Sequence, residues 1–257
     1  MEVVVKESEC GPWVWRLSVV CVAAAALLAV WLPAVLPFMA LPIHALFAQI
    51  VAGATEDPSG WRVLPSWTSQ GFVYLAAAFA WAGPFVGAKC AATLLILSAF
   101  GAVAWALKAR SGERQIGLLL AGPAIIGFCL SMGFLNYLLG LVVGVVAIGF
   151  AARLNERPRR AAMAAAVALV IAAFCHIVAA AFALAQVVLI GLHHDRWKPG
   201  RFTVAACAST LPAAGYILLV LGGAYADYAA AGIVATTQSQ RLPVLEQLLG
   251  PIQVGFG

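Results

Sequence analysis

Residues 161–192 read AAMAAAVALVIAAFCHIVAAAFALAQVVLIGL and contain no aspartate, glutamate, lysine or arginine. A straight helix over this stretch would be about 46 Å long at a rise of ~1.5 Å per residue. The hydrocarbon core of a bilayer is only ~30 Å thick, and a helix needs about 20 residues to cross it. The stretch therefore predicts either one long, tilted helix or two short helices that turn near Cys175 and His176.

The composition of the whole chain also indicates a protein that lies in a membrane. Of its 257 residues, 64% are hydrophobic and only 10% are charged, whereas soluble domains are about half apolar and about a quarter charged. Too few polar side chains are present to cover a compact surface, which excludes a water-soluble globule, and the high hydrophobicity excludes a disordered chain. We expect an all-α, polytopic transmembrane helical bundle whose outer surface contacts the lipid bilayer.

The lengths of the apolar runs predict one transmembrane domain over residues 1–257, with about seven spans and two interfacial helices on the outer face. The spans are expected at about 17–35, 85–107, 116–131, 134–152, 161–175, 177–192 and 202–226. The interfacial helices are expected at 41–54 and 71–83, and an outer tail at 227–257. The abrupt end of this tail in GPIQVGFG is what a fragment or a reduced form of a longer protein would show.

The positions of the basic residues predict the orientation of the bundle. Fifteen Lys and Arg residues against ten Asp and Glu give a net charge of +5, and the basic residues cluster in short loops at 108–114, 153–160 and 196–201. Such loops are expected in the cytoplasm, which places the N-terminus inside, the C-terminus outside and His176 at an outer turn. Because no basic patch alternates with aromatic residues, nucleic acid is not an expected partner.

Polar residues near the apolar runs are the candidates for chemistry, because ionisable groups at membrane depth are costly and often functional. The candidate catalytic residues are His44, Glu56, Asp57 and His176, all on the predicted outer face. Alternatives remain open: His44 fits an ordinary histidine at the water boundary, and the two acids fit a solvated turn. Asn136 is expected to bond between helices rather than to react.

Familiar catalytic and metal-binding motifs are missing from the sequence, including HExxH, GxSxG, the Walker A loop and the EF-hand. The six cysteines lie singly, so neither a disulfide framework nor a cysteine metal site is predicted. The cluster His193-His194-Asp195 lies beside Arg196 in a predicted cytoplasmic loop. We therefore interpret it as a solvated helix end rather than a metal site.

Two short motifs and the order of the helices carry a family resemblance. The motifs are GFLNYLLGL at residues 133–141 and FCHIVAA at residues 174–180. With the first helix, the outer loop and the arginine-rich loop, they resemble the seven-helix module of GT-C type membrane glycosyltransferases, in particular bacterial members with a DLPAH-like start and a GFLNFLLG segment. The resemblance implies a protein of the bacterial cytoplasmic (inner) membrane that transfers a sugar from a polyprenyl-phosphate donor on the outer face.

The chain departs from this family at the first outer loop. The segment Ala40-Leu41-Pro42-Ile43-His44 keeps the proline and histidine of the DLPAH-type motif but has alanine where the family has its catalytic aspartate. Either Glu56 or Asp57 replaces that carboxylate, or the protein keeps the fold without the reaction. A divalent metal is expected as a cofactor only if the chain is catalytic.

Two other classes of function compete with an enzyme. The first is a non-catalytic membrane subunit or scaffold that associates with other membrane subunits, which the missing aspartate favours. The second is a transporter, which needs an ionisable path across the midplane. Because no acid or base lies between Arg114 and Arg153, the transporter ranks last.

Overall fold

The computed structural model describes residues 12–32, 41–53, 70–107 and 134–230. In these ranges every element of regular structure is a helix, which confirms the all-α prediction. The helices are α1 (Pro12–Trp31), α2 (Leu41–Val51), α3 (Gly71–Ala77), a 3-10 turn (Ala80–Ala82), α4 (Pro84–Leu107), α5 (Leu135–Ala151), α6 (Pro158–Cys175), α7 (Ile177–His194) and α8 (Arg201–Ala230).

Four of the described helices have the length and apolar composition that crossing a bilayer requires: α4, α6, α7 and the Arg201–Gly223 part of α8. Helix α5 and the Leu17–Trp31 part of α1 are apolar but shorter. These helices indicate an integral membrane protein in contact with lipid. The count of seven spans stays a prediction, and the expected span at 116–131 lies outside the described residues.

Residues 161–192 belong to two short helices rather than one long rod. Helix α6 ends at Cys175 and α7 begins at Ile177, with His176 between them in an extended conformation (φ −167°, ψ 121°). The His176 N–H still donates to the Ala172 carbonyl at 2.7 Å, and its carbonyl accepts from the Ala180 N–H at 3.1 Å. The chain therefore reverses within one residue, and both backbone groups of that residue remain hydrogen-bonded.

Small residues bring α5 close to the second helix of this hairpin. A Cβ atom on Gly140 would lie 2.9 Å from the Cβ of Ala179, and one on Gly144 would lie 3.0 Å from the Cβ of Ala183. Glycine and alanine permit this close approach of two backbones, as they commonly do between membrane helices. Helix α5 consequently packs against both α6 and α7.

The bundle has two chemically different ends. We call the one that contains His176 and the start of α5 the His176 end. The other, which contains the loops around Arg153 and Asp195, we call the Arg153 end. There the Arg153 guanidinium donates to the Trp105 carbonyl at 2.7 Å and to the Gly149 carbonyl, and it stacks 4.2 Å from the Trp105 ring centroid. Arg153 thereby ties the end of α4 to the end of α5.

The predicted interfacial segments differ in their structure. Within the predicted segment 41–54, residues 41–53 are described and contain the single helix α2. Residues 71–83 do not form one helix, because the chain breaks after Ala77 into the 3-10 turn. Gly83 ends that turn at φ +85°, a conformation that favours glycine because it lacks a Cβ atom.

Asp195 caps the start of α8 at the Arg153 end. One carboxylate oxygen, Oδ2, accepts hydrogen bonds from the Thr203 N–H at 2.6 Å and from its hydroxyl at 2.7 Å. Burial acts to raise the pKa of Asp195, but the hydrogen bonds from Thr203, Phe202 and Gly200 outweigh it and hold the pKa below its ordinary value of 3.8. The segment 193–195, which was predicted to be a solvated helix end, therefore contains the carboxylate that caps the first turn of α8.

The variant Asp195→Asn tests this cap through its pH dependence. Because the folded carboxyl has a lowered pKa, its stabilisation is fully present above the ordinary value of 3.8 and is lost as the pH falls through the folded value. We expect the variant to have a lower Tm than the wild type near neutral pH. The two Tm values should converge in strongly acidic buffer.

Thermal unfolding in detergent, followed by tryptophan fluorescence, measures both values. Glu156→Gln removes an exposed acid at the same end and is the control, which should leave the Tm unchanged. An Asp195→Asn variant with the wild-type Tm at neutral pH would contradict the capping role.

Candidate functional site

His176 lies at the turn between α6 and α7, and its side chain is buried, with only 6% of its surface exposed. The Tyr137 ring packs edge-on against the imidazole, with 5.0 Å between the centroids. Its Nδ1 atom is buried and has no hydrogen-bond partner among the described residues. Burial lowers the pKa of His176 to about 4, so the imidazole is neutral at physiological pH.

His44 lies on α2 at the same end of the bundle. It is also buried, and its ring meets the Phe72 ring edge-on at a centroid distance of 5.8 Å. Helix α2 is anchored further by Gln49, whose side-chain amide donates to the Ala80 carbonyl at 3.0 Å. His44 therefore faces protein rather than open solvent.

The first turn of α3 lies between the surroundings of the two histidines. Gly71 approaches α6 so closely that a Cβ atom there would lie 2.7 Å from the Cys175 Sγ. The N–H of the next residue, Phe72, donates to the Asn136 Oδ1 at 2.7 Å. Asn136 therefore bonds between helices, as the sequence predicted, and α3 connects the side of α2 that carries His44 to the turn that carries His176.

The other two candidates, Glu56 and Asp57, lie outside the described residues. The chain leaves the described part after Gly53 and re-enters it at Gln70, and both flanking helices, α2 and α3, belong to the His176 end. Among the described residues, no three His, Cys, Asp or Glu side chains lie together in a way that could hold a metal ion. The described side chains alone therefore do not make a site for the divalent metal.

Lys89 is a polar residue of this region that was not among the candidates predicted from the sequence. It lies on α4, is 8% exposed, and its ammonium group is 5.7 Å from the Trp31 ring centroid. Trp31 in turn donates from its indole N–H to the Thr93 hydroxyl at 2.9 Å. The sequence contains a signal that could have identified Lys89, because it is the only acidic or basic residue between Gly71 and Leu107.

A cavity of about 910 Å³ lies at the Arg153 end, away from both candidate histidines. It is lined by the ends of α4, α5 and α7, and its polar residues include Glu156, Gln186 and His193. Of the motif His193-His194-Asp195, the aspartate is the helix cap described above. The structure thus separates this cluster from His44 and His176 by the length of the bundle.

Comparisons with known proteins add no family to this description. No protein-family model, curated protein or solved structure matches the chain. The GT-C resemblance therefore rests on the order of the helices and the two sequence motifs alone.

The hydrogen bond from Phe72 to Asn136 can be tested with Asn136→Ala. This variant leaves a buried N–H without its acceptor, which costs about 1–3 kcal/mol, and it should loosen α3 from the bundle. Because Gly71 covers Cys175, which is only 3% exposed, we expect faster alkylation of the Cys175 thiol. The rate is measured with a maleimide in a variant whose other cysteines are alanine.

Asn155→Ala is the matched control, since Asn155 is an exposed asparagine at the opposite end. It should leave the alkylation rate unchanged. Equal alkylation rates for Asn136→Ala and the parent would show that the position of α3 does not depend on the hydrogen bond from Phe72 to Asn136.

Proposed function

We propose that the Arg153 end of the bundle faces the cytoplasm and the His176 end faces the outside of the cell. The support is the distribution of charge among the described residues. Lys89 is the one described base near the His176 end. The bases in and beside the two loops at the Arg153 end are Arg153, Arg157, Arg159, Arg160, Arg196, Lys198 and Arg201. Short loops rich in lysine and arginine stay in the cytoplasm.

Single-cysteine labelling tests this orientation with two exposed residues from opposite ends. Trp81 in the 3-10 turn is 83% exposed, and Arg157 is exposed before α6. In a cysteine-free chain, we expect a membrane-impermeant maleimide to label Trp81→Cys in intact cells and Arg157→Cys only after lysis. Labelling of Arg157→Cys from outside would reverse the orientation.

We propose, further, that the protein is a GT-C-like glycosyltransferase that transfers a sugar from a polyprenyl-phosphate donor at the His176 end. The observation that supports this best is that both histidines lie close to the first turn of α3: the His44 ring contacts Phe72, and Gly71 approaches Cys175, the residue before His176. The neutral His176 has a buried, unpartnered Nδ1 within the described part of the chain. A neutral imidazole nitrogen can accept a proton from an acceptor hydroxyl, and burial makes this one a weaker base than a free histidine.

In this proposal His176 acts as the general base, and Glu56 or Asp57 supplies the carboxylate that Ala40 does not. The acceptor oxygen loses its proton and attacks the anomeric carbon, while the bond from that carbon to the phosphate oxygen breaks. The leaving group is the polyprenyl phosphate. His44 would orient the donor or acceptor from α2.

The test is the release of polyprenyl phosphate from a panel of polyprenyl-phosphate-linked hexoses by the purified full chain. A general base contributes about 10²–10⁴-fold to a rate, so we expect His176→Ala to lower the rate by about a hundredfold or more. His44→Ala should also lower it. His193→Ala removes an exposed histidine at the other end of α7 and should leave the rate unchanged.

A second candidate is a non-catalytic membrane subunit. It is favoured by the use of polar side chains at the His176 end for holding helices together, with Asn136 bound to the Phe72 N–H and Gln49 to the Ala80 carbonyl. Copurification in mild detergent separates the two functions. A stable membrane partner, together with no release of polyprenyl phosphate by the wild-type chain, would favour the subunit and reject the transferase.

A further inference from the structure

An apolar groove runs along the outside of the bundle between α5 and α6. Its volume is about 660 Å³, and its walls include Val146 and Phe150 from α5 and Met163, Val167 and Ile171 from α6. The three α6 residues follow one another at intervals of four, so they lie on the same face of the helix. They are 70%, 61% and 47% exposed.

One basic residue lies at one end of this groove. Arg160 is part of its lining, lies in the first turn of α6 and is exposed. It belongs to the segment 153–160, which contains four arginines and one glutamate. The walls of the groove are apolar, and its Arg160 end lies beside the arginine-rich segment 153–160.

The length of the groove matches half of a bilayer. From Arg160 to Ile171 the α6 axis rises by about 17 Å at ~1.5 Å per residue, while one leaflet contributes about 15 Å of the ~30 Å hydrocarbon core. An acyl chain lying along Met163, Val167 and Ile171 would thus reach toward the midplane when its headgroup is level with Arg160.

We propose that this groove binds one anionic phospholipid of the leaflet at the Arg153 end. The acyl chain packs between α5 and α6, and the phosphate group pairs with the Arg160 guanidinium. Arginine suits this contact because its planar donors match phosphate oxygens. The proposal is independent of any sugar transfer, since the groove contains neither His44 nor His176.

Native mass spectrometry of the detergent-purified chain, titrated with phosphatidylglycerol or phosphatidylcholine, tests the proposal. A basic residue near an anionic surface contributes about a fivefold change in binding. We therefore expect Arg160→Gln to weaken phosphatidylglycerol binding by about fivefold and to leave phosphatidylcholine binding nearly unchanged. Arg159→Gln removes the same charge from the neighbouring residue, which does not line the groove, and should have a clearly smaller effect.

A second pair of variants tests the apolar part. Val167→Trp fills the groove, whereas Val204→Trp adds the same bulk to α8 at a position that is 67% exposed. We expect only Val167→Trp to lower the number of bound lipids, for both headgroups. Equal effects of the two arginine variants would show a general surface charge and overturn the site. Equal effects of the two tryptophan variants would also overturn the site. They would mean that the groove holds no lipid or is filled by another part of the chain.

Discussion

A peptide group in the hydrocarbon of a bilayer has no water to bind, so its N–H and C=O must find partners inside the protein. This constraint keeps the backbone of the apolar run 161–192 helical on both sides of His176. One rod would exceed the bilayer, and a loop would leave several backbone groups without partners. The chain instead reverses at His176, where the N–H still bonds back to Ala172 and the carbonyl still accepts from Ala180. The reversal therefore leaves neither backbone group of His176 unbonded.

The arrangement around this turn follows from the same reversal. Two helices that are joined by a single residue lie close together at that residue, and small side chains let a third helix approach them closely. Gly140 and Gly144 on α5 meet this requirement against Ala179 and Ala183. The start of α5 is thereby held beside the turn, which brings Asn136 to the N–H of Phe72. The docking of α3 is thus a consequence of how the hairpin packs.

The sequence predicted the helices far better than their mutual contacts. The apolar runs at 85–107, 161–175 and 177–192 correspond to α4, α6 and α7 within a few residues, because the length of an apolar run is a local property. The approach of Gly71 to Cys175 and the burial of Lys89 were not predicted. These contacts join residues far apart in sequence, and hydropathy contains no information about such pairs. The break after Ala77 was missed because a short apolar helix and a 3-10 turn have the same composition.

Folding alone does not explain why residue 176 is a histidine. The turn needs one residue with extended backbone angles, which any amino acid adopts, so a histidine is not required. Its ring contact with Tyr137 stabilises by about 0.5–1.5 kcal/mol, while a buried polar atom without a partner costs about 1–3 kcal/mol. These two ranges overlap, so the contacts of the imidazole with the described residues give the hairpin little or no net stabilisation. An alanine could make the same turn, so the backbone of the hairpin does not require the imidazole that the proposed reaction uses as its base.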